Sequence, residues 1–127
     1  MTETLTLPTR TETVEFDRDV LSALCDEHGA GIESFLTGCL LQIGQAMERA
    51  MLSLRLGDTD ALDATCVDLG RLADLIGMRT VATAARAVRA AIAAGDATAL
   101  AACGTRLVRL GHPSAVESWT VRTGISA

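Results

Sequence analysis

The sequence predicts an all-α fold: an up-down antiparallel four-helix bundle with a short helix ahead of it. Apolar residues recur at steps of three and four in four successive stretches, the spacing that puts them on one helix face. Gly-Asp pairs or a lone Gly separate those stretches, and connections this short make neighbouring helices antiparallel. Hydrophobic residues make up 49% of the chain but aromatic residues only 2%. A core of Ala, Leu, Val, Ile and Met suits closely packed helices, whereas β-rich domains lean on aromatic and β-branched residues.

Residues 1–15 are rich in Thr and Glu and read as a disordered lead. Asp17 is a good N-cap, with Phe16 placed to staple onto Leu21, so a short helix spans Arg18 to His28 and Gly29 closes it. The next helix runs from about Gly31 to Leu56 on the stripe Ile32, Leu36, Cys39, Ile43, Met47, Ala50, Leu54. Gly57-Asp58 ends it and caps a third helix, about Thr59 to Ile76, on Leu62, Cys66, Leu69, Ala73 and Ile76. After Gly77 a fourth runs to about Ala94 on Val81, Ala85, Val88 and Ile92. Gly95-Asp96 introduces the fifth, about Ala97 to Leu110, on Leu100, Cys103, Leu107 and Leu110, and Gly111-His112-Pro113 stops it. The expected organisation is therefore a lead over 1–15, a bundle over 16–112 and a tail over 113–127 that docks through Trp119. Leu36, Ile43, Leu62, Leu69, Ile76, Val88, Leu100 and Leu107 are expected to be buried together.

Composition excludes several functions. The net charge is −5 with no basic cluster, which disfavours nucleic acid and anionic membrane surfaces as partners. No apolar run approaches the roughly 20 residues of a membrane span, and no signal-peptide pattern opens the chain. The four cysteines are too far apart for a Cys-x-x-Cys pair and read as buried, reduced thiols, so a cytoplasmic location is expected. Neither a phosphate loop nor a nucleophile elbow is present, and the carboxylates lack the Glu-x-x-His pairs of a bundle metal site. No catalytic residue, metal or cofactor is expected.

One stretch is more specific. In Gly57-Asp58-Thr59-Asp60-Ala61-Leu62-Asp63-Ala64-Thr65-Cys66-Val67-Asp68-Leu69-Gly70-Arg71-Leu72-Ala73-Asp74-Leu75-Ile76-Gly77, the residues Gly57, Asp58, Leu62, Leu69, Ala73, Ile76 and Gly77 fall in a recognisable register. It resembles the phosphoacceptor helix of histidine-containing phosphotransfer (HPt) domains. Their pattern is roughly Gly-Asp, a Leu, then His-x-Leu-Lys-Gly-Ser-Ala-x-x-Leu/Ile-Gly. The resemblance extends over about residues 16–111 in helix order and break positions. It departs at the acceptor histidine, where Val67 stands, and at the next lysine and glycine, where Gly70 and Arg71 stand. In the family, an exposed imidazole there attacks a receiver aspartyl phosphate, a lysine holds the phosphoryl oxygens and a glycine leaves room for the partner. Valine has no nucleophile and no titratable proton, so it forms no phosphoryl intermediate.

The resemblance implies a signalling module of a bacterial-type two-component phosphorelay, able to bind a response-regulator receiver domain or a histidine kinase without carrying phosphate. The partner-binding residues it implies are Asp60, Asp63, Ala64, Val67, Gly70, Arg71 and Asp74. They share a surface of the third helix opposite its apolar stripe, so Val67 is expected to be exposed, with docking across the third helix and the adjoining part of the second. Arg71 is expected to pair with Asp68 or Asp74. Leu72 and Leu75, off the stripe, are open to a second helix contact. Two alternatives stand beside this reading: a helical interaction domain unrelated to phosphorelay, and an active phosphotransfer protein using His28 or His112, both of which sit at helix ends where a structural role is the commoner one.

Overall fold

The computed structural model describes residues 13–112 together with Val116 and Trp119. It is all-helical, with no strand among the described residues. The helices are α1 (Arg18–His28), α2 (Ile32–Leu56), α3 (Thr59–Leu75), α4 (Arg79–Ala94) and α5 (Ala97–Leu110), with a 3-10 turn over Gly29–Gly31. Helices α2 to α5 pack in sequence, α2 on α3, α3 on α4 and α4 on α5, while α2 and α5 meet more loosely.

The predicted caps form. Asp17 Oδ1 accepts from the backbone N–H groups of Asp19 and Val20 at 2.9 and 3.3 Å. Asp58 Oδ1 accepts from Ala61 N–H at 3.1 Å and Asp96 Oδ1 from Ala99 N–H at 3.0 Å, so both Gly-Asp pairs end one helix and start the next. In each pair the glycine takes the left-handed conformation, φ 72° at Gly57 and 64° at Gly95.

The core is one cluster that joins all five helices. Of the eight residues expected in it, seven are buried. Leu100 is only partly buried, because it sits in the first turn of α5 at an open end of the bundle, beside Thr59, Ile92 and Gly95. Leu72 joins the core and Leu75 does not. Trp119 is buried in the cluster, as the sequence led us to expect of the tail, and Val116 packs against it. The remaining tail positions, and residues 1–12 of the expected lead, lie outside the described residues.

The packed part of the chain starts earlier than Phe16. Val14 and Phe16 are buried, and an isolated antiparallel bridge joins Phe16 to Met78. Asp17 N–H donates to the Gly77 carbonyl at 2.7 Å and Arg79 N–H to the Glu15 carbonyl at 3.0 Å. Helix α4 has no side-chain cap, so this extended segment takes up its first N–H. Its alternation of Val14 and Phe16 is too short to read as a pairing segment from sequence. Gly77 is required where the segment crosses: its φ is +75°, and a Cβ there would meet Val20 Cβ at 3.1 Å and Asp17 Cβ at 3.2 Å. Among the described residues no helix is long and apolar enough to cross a membrane.

Candidate functional site on the third helix

Helix α3 is set by its buried side. Leu62, Thr65, Cys66, Leu69, Leu72 and Ala73 face inward, and Leu69 is fully excluded from solvent. This fixes the rotation of the helix and turns Val67 outward, where it is 44% exposed. Asp60, Ala64, Arg71 and Asp74 are exposed around it, with Asp63 and Gly70 half-buried. The seven residues implied as partner-binding thus share the outer half of one helix. A Cβ at Gly70 would meet nothing within 4 Å, so the fold itself does not require glycine there.

Two of the seven are engaged in a way the sequence reading missed. Asp63 Oδ1 accepts from Arg89 Nε at 3.0 Å, and Asp74 Oδ2 pairs with Arg86 Nη2. Both arginines belong to α4. Arg71 pairs with Asp68, 3.6 Å away, one of the two partners expected of it. The carboxylates flanking Val67 therefore lean toward α4, and an open groove of about 440 Å³ runs there, lined by Asp60, Asp63, Arg86, Arg89, Ala90, Ile92 and Ala93. Helix α4 thus flanks this face on the side of Asp63 and Asp74, while α2, the neighbour named from the sequence, also packs on α3. The signal was present: Arg86 and Arg89 are three residues apart and lie off the α4 stripe, so they share one flank of that helix.

These exposed pairs orient side chains more than they stabilise the bundle, since such pairs contribute about 0–1 kcal/mol each. Their fields reach one buried group. The Cys66 thiol lies under this face, and its pKa is pushed up to about 11, first by burial and then by the Asp63 charge, against a smaller opposing effect of Arg89. Cys39 is raised by burial as well. A protonated, enclosed thiol is a poor nucleophile.

Neither histidine belongs to α3. His28 ends α1 and stacks on Phe35 with ring centroids 4.0 Å apart and an interplanar angle of 18°. His112 follows α5, and its carbonyl accepts from Val116 N–H at 3.0 Å. Nowhere among the described residues do three or more His, Cys, Asp or Glu side chains gather in a way that could hold a metal ion. The arrangement at Val67 offers a small apolar centre, space above Gly70 and a rim of paired charges, which suits contact with another surface. No protein-family model, curated protein or solved structure matches the chain.

Proposed function

We propose that the chain is an HPt-like module that binds a receiver domain or a histidine kinase of a two-component phosphorelay without carrying phosphate. The observation that carries this reading is Val67: the position matching the acceptor histidine is exposed on the outer face of the central helix, and it holds a side chain with no nucleophile. Such a module occupies the partner's docking surface and competes with, sequesters or tethers it. It acts in the cytoplasm, by binding alone.

The up-and-down course of the bundle belongs to this proposal. It is supported by the levels at which helices meet. A Cβ on Gly104 would touch Leu54, and one on Gly111 would touch Met47, so α5 runs back along α2. Arg86 reaches Asp74 and Arg89 reaches Asp63, so α4 runs back along α3.

The test is binding of purified receiver and kinase domains to the full chain, followed by calorimetry. Val67→Glu is expected to abolish binding while leaving the melting curve nearly unchanged. Binding that survives Val67→Glu combined with Arg71→Glu would place the docking face elsewhere and favour an interaction domain unrelated to phosphorelay. Incubation with receivers charged by acetyl phosphate is expected to leave no acid-labile phosphate on the chain. Label on His28 or His112 would overturn the binding-only reading.

A further inference from the structure

A second surface is built differently from the first. Where α2 and α5 meet loosely, an open trough of about 310 Å³ is lined by Met51, Leu54, Arg55, Thr105, Val108 and Arg109. Its floor is apolar. The Thr105 hydroxyl donates to the Ala101 carbonyl at 2.8 Å and is satisfied within α5. The polar handles left in the trough are two guanidinium groups. Neither Arg55 nor Arg109 has an ion-pair partner among the described residues, whereas Arg71, Arg79, Arg86 and Arg89 each face a carboxylate. In a chain of net charge −5, this is a local positive site over an apolar floor. Beside it the last turns of α2 expose Met51, Leu52 and Leu56, at 37%, 53% and 71%.

We propose that the α2–α5 trough docks an acidic amphipathic helix of a partner protein. Charge complementarity selects acidic flanks, and the apolar floor between two helices selects a helix that lays its apolar face into the groove. A free fatty acid fits less well, because small-molecule sites enclose most of the ligand and this trough is open along one side. Spacing adds a constraint. With Gly104 level with Leu54 and Gly111 level with Met47, Arg109 stands level with residue 49 on the opposite wall. The two guanidiniums are then offset by about 9 Å along the groove, six residues of helix rise. Carboxylates six residues apart on a helix fall on opposite flanks of a single apolar stripe. This surface is independent of the Val67 face.

The probe is a synthetic amidated helix of about 18 residues, long enough to hold helical structure, with Leu along one stripe and Glu at two flanking positions six residues apart. It is titrated into the full chain by fluorescence anisotropy and amide NMR. Saturable binding is expected, with shifts confined to residues 51–55 and 105–109, and weaker binding when salt is raised from about 0.05 to 0.5 M. The analogue with Lys for both Glu is expected to bind at least about tenfold more weakly, and Arg55→Glu with Arg109→Glu should reverse that order. Both arginines are exposed and have no ion-pair partner among the described residues, so these variants should melt like the parent, and Val67→Glu should leave peptide binding unchanged. The proposal is overturned by no binding up to about 1 mM, a range weaker than most working interfaces. Equal affinity for both peptides, displacement by decanoate, or self-association of the chain through these residues would overturn it too.

Discussion

Raising the pH isolates the buried thiols of this protein. The chain has no Lys and no Tyr, and burial raises the pKa of two cysteine thiols, Cys39 and Cys66. Cys66 is 1% exposed and its pKa is raised from 9.0 to about 11. The folded protein therefore holds that proton more tightly than the unfolded chain does. Its stabilising effect is fully present below pH 9 and is lost as the pH rises through the folded pKa. A shift of roughly two units at about 1.4 kcal/mol each, not yet complete at pH 11, removes about 2 kcal/mol of stability by that pH, and Cys39 adds a loss of the same sign. The assay is urea unfolding followed by helix circular dichroism from pH 7.5 to 11 under reducing conditions. A flat profile to about pH 8.5 and a falling limb above it are expected. Cys66→Ala should flatten most of the limb, Asp63→Asn should shorten it and Arg89→Gln should lengthen it. Wild-type stability unchanged at pH 11, or a full limb retained in Cys66→Ala, would show that the thiol under the Val67 face is solvated and that the packing of α3 on its neighbours is wrong.

The glycines give a signed pair. Gly70→Ala, in open space inside a helix, should stabilise by about 0.5–1 kcal/mol, whereas Gly77→Ala, with positive φ and a Cβ against Asp17 and Val20, should destabilise by about 1–3 kcal/mol; urea midpoints check both, and a destabilised Gly70→Ala would mean that its face is covered. Leu69→Ala should cost about 2–5 kcal/mol and Val67→Ala much less, given their burial, so equal and large losses in thermal melts would show the helix rotated from the position described.

Helix existence, order and caps were legible because each rests on local chemistry. Asp17, Asp58 and Asp96 accept the first N–H groups of the helices they precede, and Gly57 and Gly95 take the left-handed turn at the ends. The outward aspect of Val67 was legible too, since a stripe of Leu62, Cys66, Leu69 and Ala73 leaves only one side free. What escaped the sequence was lateral. Periodicity states which residues face the core, but not which neighbour stands to the left or right of a helix. The partners Arg86 and Arg89 are more than ten residues from the carboxylates they meet, and the strip at Val14 and Phe16 gains its meaning from Met78, far along the chain.

The pairing with α4 changes the electrostatics of the candidate site. With Asp63 and Asp74 held by α4, the charges around Val67 are already neutralised within the fold, leaving Asp60 and the Arg71–Asp68 pair as the remaining charged rim. For the proposed partner, long-range steering from this face would be correspondingly weak, and affinity would depend on contact with the apolar centre and on the space above Gly70. The mid-helix glycine costs stability that the fold does not recover elsewhere, because nothing lies within 4 Å of where its Cβ would stand. In the proposed complex, that gap beside an exposed valine leaves room for close approach by a partner's backbone or helix. Gly70→Ala consequently separates the two roles of this face: the methyl group that raises the melting temperature fills the space a partner would enter, so stability and binding should move in opposite directions. A variant that gained both would leave the open position without a binding role.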